Sequence, residues 1–196
     1  MSNIRKIPNR FRSIIRLFFV LSAILSAQRI QADGQPGYRI PDTEVHEIAS
    51  ELTGEDYEIL VWLPHTYDKV ETNTYPVLYI LDGQWDFASV QTSIRNNFAD
   101  RRIPEMILVG ISFGGSKPEH LNKRSRACLP TQRVMPNGSV RGGGAPQFLQ
   151  FIKEGIIPLI ESNYRVNDSY RALGGASYGG LFTLYTTIME PKLFDS

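Results

Sequence analysis

Apolar and polar positions fall into distinct patterns along this chain. Residues 45–50 and 57–63 alternate in the period-two manner of half-buried strands, and Thr53-Gly54-Glu55-Asp56 between them reads as a turn. Pro76-Val77-Leu78-Tyr79-Ile80-Leu81 and Met106-Ile107-Leu108-Val109-Gly110-Ile111 are near-continuous apolar runs, suited to strands covered on both faces of a mainly parallel sheet. Residues 87–98 between them predict a helix. In 146–164, Phe148, Phe151, Ile152, Ile156, Leu159 and Ile160 recur at helical spacing, and Pro158 within that helix predicts a kink. A short strand over 170–173 and a helix from 181 to 189 follow. Strands alternating with helices define the α/β class. Residues 113–145, rich in Gly, Pro, Lys and Arg, read as a long surface excursion.

The N-terminus follows a different rule. Arg5, Lys6, Arg10, Arg12 and Arg16 precede an apolar run over residues 17–27, and no acidic residue occurs before Asp33. The run is short of the roughly 20 residues that span a bilayer. A basic stretch, a short apolar core and small residues at Ala27 and Ala32 read as a secretory signal over 1–32. An uncleaved anchor is the alternative, and it would be the chain's one contact with a membrane. Export to a periplasm or the exterior is expected either way. Residues 33–43, with Gly34, Pro36 and Gly37, read as a linker.

Composition narrows the function classes. With 21 Lys+Arg against 20 Asp+Glu the formal charge is +1, which gives no support to nucleic-acid binding. Hydrophobic residues at 42% and charged residues at 21% exclude wholesale disorder. A single cysteine, Cys128, excludes an intrachain disulfide and a cysteine-based zinc cluster, and no cofactor or metal is expected. In the 113–145 excursion, Lys117, Lys123, Arg124, Arg126, Arg133 and Arg141 face one acid, Glu119. That excess reads either as a solvated loop or as a rim receiving an anionic substrate.

The chemistry concentrates at Gly175-Ala176-Ser177-Tyr178-Gly179, a G-x-S-x-G motif with a predicted strand before it and an apolar helix after it. Small residues let the chain turn sharply, so that the serine stands on a strand-to-helix elbow with its hydroxyl exposed. The helix N-terminus favours negative charge developing there. Ser177 is the candidate nucleophile, and the backbone N–H of Tyr178 is one candidate oxyanion donor. The second is expected from the loop after the third strand, Leu81-Asp82-Gly83-Gln84, with Gln84 N–H as the candidate.

The segments 75–83 and 174–181, with the helix from Phe148 to Glu161 and Tyr164-Arg165, resemble an esterase family of α/β hydrolases. That family includes enterochelin (siderophore) esterases, S-formylglutathione hydrolase and mycolyl-transferring antigens. The resemblance covers about residues 44–196 and implies an α/β-hydrolase fold, an acyl-enzyme at Ser177, and a small-molecule ester substrate, siderophore-like among the options. The chain departs from the pattern at Arg124-Ser125-Arg126-Ala127-Cys128-Leu129-Pro130, where siderophore-esterase relatives often carry Arg-x-Arg-Asp-aromatic-Thr-Pro.

In this fold the triad runs Ser, Asp/Glu, His along the chain. After Ser177 the only acids are Glu190 and Asp195, and no histidine follows; His46, His65 and His120 all precede it and read as ordinary surface or turn residues. The 44–196 segment is therefore expected to be the N-terminal part of an esterase domain, incomplete on its C-terminal side. The strand at 170–174 would then be an exposed apolar edge, and the isolated chain poorly soluble. A non-catalytic binding or cell-surface module, or an acyltransferase of the same fold, are the alternatives.

Overall fold

The computed structural model describes residues 40–114 and 117–195. The expected signal and most of the linker lie outside the described residues. Among those residues, no helix is long and apolar enough to cross a membrane.

The sheet is built from β1 (Thr43–Ser50), β2 (Glu55–Trp62), β3 (Tyr75–Leu81), β4 (Ile107–Ser112) and β7 (Val166–Gly174), in the order β1-β2-β4-β3-β7. β1 pairs antiparallel with β2, and β2 antiparallel with β4, while β3 runs parallel to both β4 and β7. β5 (Arg133–Val134) and β6 (Val140–Arg141) form a separate small hairpin. The helices are α1 (Gly83–Ala99), α2 (Lys117–Cys128), α3 (Ala145–Phe151), α4 (Ile157–Asn163) and α5 (Tyr178–Met189).

Side chains alternate across each strand, so the apolar runs feed two cores. Tyr57, Ile59, Val61, Tyr79, Leu81, Ile107, Val109 and Ile111 point to one face, where Phe148, Ile152, Ile156, Ile160 and Phe182 cover them. Trp62, Ile80 and Leu108 point to the other, against Phe87 and Ile94 of α1. The connection after β3 therefore covers one face and the one after β7 the other. An open sheet presents its crevice at the carboxyl ends of strands whose connections diverge in this way.

The helix expected over 146–164 forms in three parts. α3 runs into a π-helical turn, Ile152–Ile156, closed by Ile157 N–H donating to the Ile152 carbonyl, and α4 continues from there. Pro158 stands in the first turn of α4, where its missing N–H costs least. Asn167 and Asp168, residue types common in turns, lie within β7 beside a register shift between Tyr75 and Val77. Ser169 N–H donates to Asn167 Oδ1 at 3.1 Å, so the turn-forming side chain is spent locally inside an irregular strand. Part of the apparent excursion over 113–145 is also structured: α2 occupies 12 of its residues. That helix carries no apolar stripe; it holds on through Arg124, Ala127 and Cys128, the last two fully or nearly fully buried. β7 closes one end of the sheet order, with Tyr170 exposed.

Candidate active site

β3 and β7 are neighbours in parallel register, with Ile80 opposite Gly174, so the loops leaving their carboxyl ends emerge side by side. One loop is Asp82-Gly83-Gln84 and the other is Gly175-Ala176-Ser177-Tyr178. Their closeness shows at Gly179, where a Cβ would lie 3.3 Å from Asp82 Oδ2 and 3.4 Å from Leu81 Cβ.

Ser177 adopts φ 55°, ψ −115°, a conformation strained for any residue with a side chain, at the first step of α5. The residue is exposed. As the N-cap of α5 it would ordinarily turn its hydroxyl onto the first-turn amides, but no such capping bond forms among the described residues. The first-turn hydrogen bonds run from Gly179 N–H to Ala176 O at 2.8 Å and from Leu181 N–H to Ser177 O at 3.0 Å. The Tyr178 N–H is among the leading amides a helix cannot satisfy internally.

The other loop repeats this arrangement. Asp82, buried at 1% exposure, is the N-cap of α1 and sits in the left-handed region at φ 60°, ψ 36°. Its carbonyl accepts from Trp85 N–H at 2.8 Å and Asp86 N–H at 3.1 Å, so Gly83 and Gln84 precede the helical hydrogen bonding. A capping carboxylate normally takes the N–H of the second or third helical residue, here Gln84 or Trp85. Asp82 makes no such bond: its backbone is left-handed where a capping residue is normally extended, and both its oxygens are engaged by Arg124 from α2. Arg124 Nε–H donates to Oδ1 at 2.6 Å and Nη2–H to Oδ2 at 2.8 Å, a bidentate pair, and Nη2–H also donates to the Ala176 carbonyl at 3.0 Å. Its guanidinium carbon lies 5.7 Å from the Trp85 ring and 5.3 Å from the Tyr178 ring. The hydrogen bonds to Asp82 hold the guanidinium pKa above its ordinary value.

The structure thus brings Ser177, Tyr178 and Gln84 to one edge of the sheet. Two uncapped helix N-termini and an exposed serine hydroxyl can attack a carbonyl carbon and hold the oxyanion that results. The Asp82–Arg124 pair was not legible as a site feature, since Asp82 reads as a turn residue and Arg124 as one charge in a basic run. Half of the six basic residues in that run are spent on ion pairs: Arg124 holds Asp82, and Lys123 and Arg126 pair with Glu55 at 3.2 and 2.8 Å, while Arg133 and Arg141 are exposed on the hairpin.

The histidines lie elsewhere in the network. His46 Nε2 is 2.6 Å from the Tyr164 hydroxyl, His65 neighbours Lys69, and His120 lies on α2 with its ring edge-on to Trp85. His120 therefore belongs to a helix flanking the site, not to a loop. Among the described residues no hydrogen bond joins the Ser177 hydroxyl to a histidine. Glu190, just past α5, pairs with Lys153 at 2.7 Å, and Asp195 accepts from Arg171 N–H at 2.8 Å.

A parallel-centred sheet, helices on both faces and a serine at a strained strand-to-helix turn define the α/β-hydrolase fold. Solved structures agree. The chain superposes on the siderophore hydrolase EstA from Aspergillus nidulans with a TM-score of 0.69 at 28% identity, covering 82% of this chain and 57% of that one. It superposes on the BES protein from Bacillus cereus with a TM-score of 0.70 at 24% identity, covering 82% and 61%. Residues 50–196 match the family model Esterase, described as "Putative esterase", and the chain belongs to that family. Among curated relatives it is 29% identical over 171 residues to the ferri-bacillibactin esterase BesA of Bacillus subtilis (strain 168), covering 81% of this chain and 57% of the relative. It is 43% identical over 163 residues to the siderophore enterobactin esterase of Emericella nidulans, covering 76% and 54%. The chain spans a little over half the length of these relatives.

Proposed function

We propose that this chain carries the nucleophile and oxyanion side of a serine esterase acting on small-molecule esters. The observation that carries the reading is the conformation of Ser177, strained, exposed and uncapped at the head of α5 beside the open N-terminus of α1. The Ser177 hydroxyl attacks the ester carbonyl, and its proton passes to a general base. Tyr178 N–H and Gln84 N–H receive the oxyanion of the tetrahedral intermediate. Collapse expels the alcohol, which takes up the proton, and water then releases the acid from the acyl-enzyme. Esters of the siderophore class are the favoured substrates, on the strength of relatives named as ferri-bacillibactin and siderophore enterobactin esterases that are 29% and 43% identical over the aligned residues. The basic leader and its short apolar run support export, with residues 33–43 linking it to the esterase portion.

The test uses the protein purified from its source cell, treated with a fluorophosphonate and assayed on p-nitrophenyl butyrate and on a tricatecholate trilactone. Labelling of Ser177, with loss of both labelling and hydrolysis in Ser177→Ala, is the expected outcome. Hydrolysis that survives Ser177→Ala unchanged overturns the reading.

A further inference from the structure

The esterase reading requires Gln84 N–H to be open to an oxyanion, yet the residue capping α1 is an aspartate, among the strongest helix caps. In the usual geometry Asp82 would fold its carboxylate over the Gln84 or Trp85 amide. It would then occupy the donor and bring a negative charge to the place where the oxyanion must form.

The left-handed backbone of Asp82 already departs from the capping conformation, and Arg124 holds the carboxylate elsewhere. Its bidentate hold at 2.6 and 2.8 Å draws both carboxylate oxygens away from the helix end, and Asp82 makes no capping bond. The same Nη2 reaches the Ala176 carbonyl at 3.0 Å, one residue before the serine. That carbonyl also accepts from Gly179 N–H, within the turn that presents Tyr178 N–H. The guanidinium is itself fixed, lying near the rings of both Trp85 and Tyr178, with its side chain 12% exposed. One side chain from a third element thus touches the segment before each donor.

We propose that Arg124 is a positioning residue that withdraws the Asp82 carboxylate from its capping site, keeping the Gln84 amide open, and pins the serine elbow at a fixed distance from it. This rests on the oxyanion assignment given above. The proposal differs from simple stabilisation by an ion pair in one respect: once the arginine is gone, the aspartate becomes harmful. Removing both should then be better than removing the arginine alone.

The experiment compares Arg124→Gln, Asp82→Gly and the double variant in the full protein. Glycine is chosen at 82 because it accepts φ 60° and cannot cap through a side chain. Arg124→Gln is expected to lower kcat roughly 10²-fold with KM within about twofold, the size of losing one oxyanion donor. The double variant is expected to recover about tenfold of that loss, against the usual expectation that two lesions cost more than one. Amide exchange gives a readout without turnover: Gln84 N–H should exchange about fivefold more slowly in Arg124→Gln, as the freed carboxylate caps it. If Arg124→Gln does not fold, Arg124→Lys, with one ammonium nitrogen in place of the planar fork, is read in the same pairing. A double variant no faster than Arg124→Gln, or a Gln84 amide that exchanges at the wild-type rate or faster, overturns the proposal. Should Ser177→Ala leave hydrolysis intact, the esterase reading falls, and the Gln84 exchange rate alone still decides the role of Arg124.

Discussion

At Gly175 the backbone leaves no room for a methyl group. A Cβ there would lie 2.6 Å from the Gly179 carbonyl carbon and 2.8 Å from its oxygen, both backbone atoms that cannot rotate aside. The two glycines of the motif are thus face to face across the turn, and this contact lets Ser177 hold its strained backbone. Gly175→Ala is expected to lose about 1–3 kcal/mol of stability to overpacking, seen as a lower urea midpoint, together with the Ser177 labelling that depends on the elbow. Wild-type labelling at full stability would show that the turn can open without loss. This part of the site is legible from residue types alone, because small residues at that spacing between a strand and a helix have one common geometric outcome. The Asp82–Arg124 pair is not, because it joins residues 42 positions apart and depends on where α2 lands.

The elements divide by how their side chains signal. The parallel strands announce themselves as unbroken apolar runs, and their predicted limits fall within a residue or two of the observed ones, apart from β7, which starts four residues early. α2 carries no such signal. Its sequence, Lys-Pro-Glu-His-Leu-Asn-Lys-Arg-Ser-Arg-Ala-Cys, is mostly polar, and it is secured by Asp82, Glu55 and a small buried patch at its last turn. Periodicity finds helices that bury a stripe, and this one is tied down by charge. The π-helical turn is hidden for a related reason, since Phe151, Ile152 and Ile156 are apolar under α-helical or π-helical spacing alike. Cys128 closes α2 in a fully buried position, and burial pushes its thiol up to about 12. The native protein is therefore expected to resist iodoacetamide at pH 8 and to take up one equivalent in urea. Rapid native alkylation would mean that the end of α2 opens readily, and with it the anchor of Arg124.

Over the whole molecule the same burial that builds the two cores sets how stability changes at high pH. Desolvation raises Tyr57 from 10.0 to about 12 and Cys128 from 9.0 to about 12. It also raises Tyr79 and Tyr164 above the ordinary tyrosine value. Each group is neutral in the fold and ionises more easily once the chain unfolds. Their contribution is thus fully present below the unfolded values and is lost as pH rises from about 9 towards 12. The urea midpoint is expected to hold through pH 8 and fall steeply between pH 9 and 11, and a flat profile there would contradict the buried state of these groups. Tyr79 offers a sharper form of the test. Its hydroxyl is buried on β3 and finds no hydrogen-bond partner among the described residues. Removing an unsatisfied buried hydroxyl relieves a desolvation cost of about 1–3 kcal/mol. Tyr79→Phe is therefore expected to match or exceed the wild type in stability at pH 7 and to widen its advantage as pH climbs above 10, since phenylalanine has no proton to lose. A Tyr79→Phe protein less stable than wild type would mean that the hydroxyl has a partner within the core, and the alkaline slope would then have to come from Tyr57, Tyr164 and Cys128 alone.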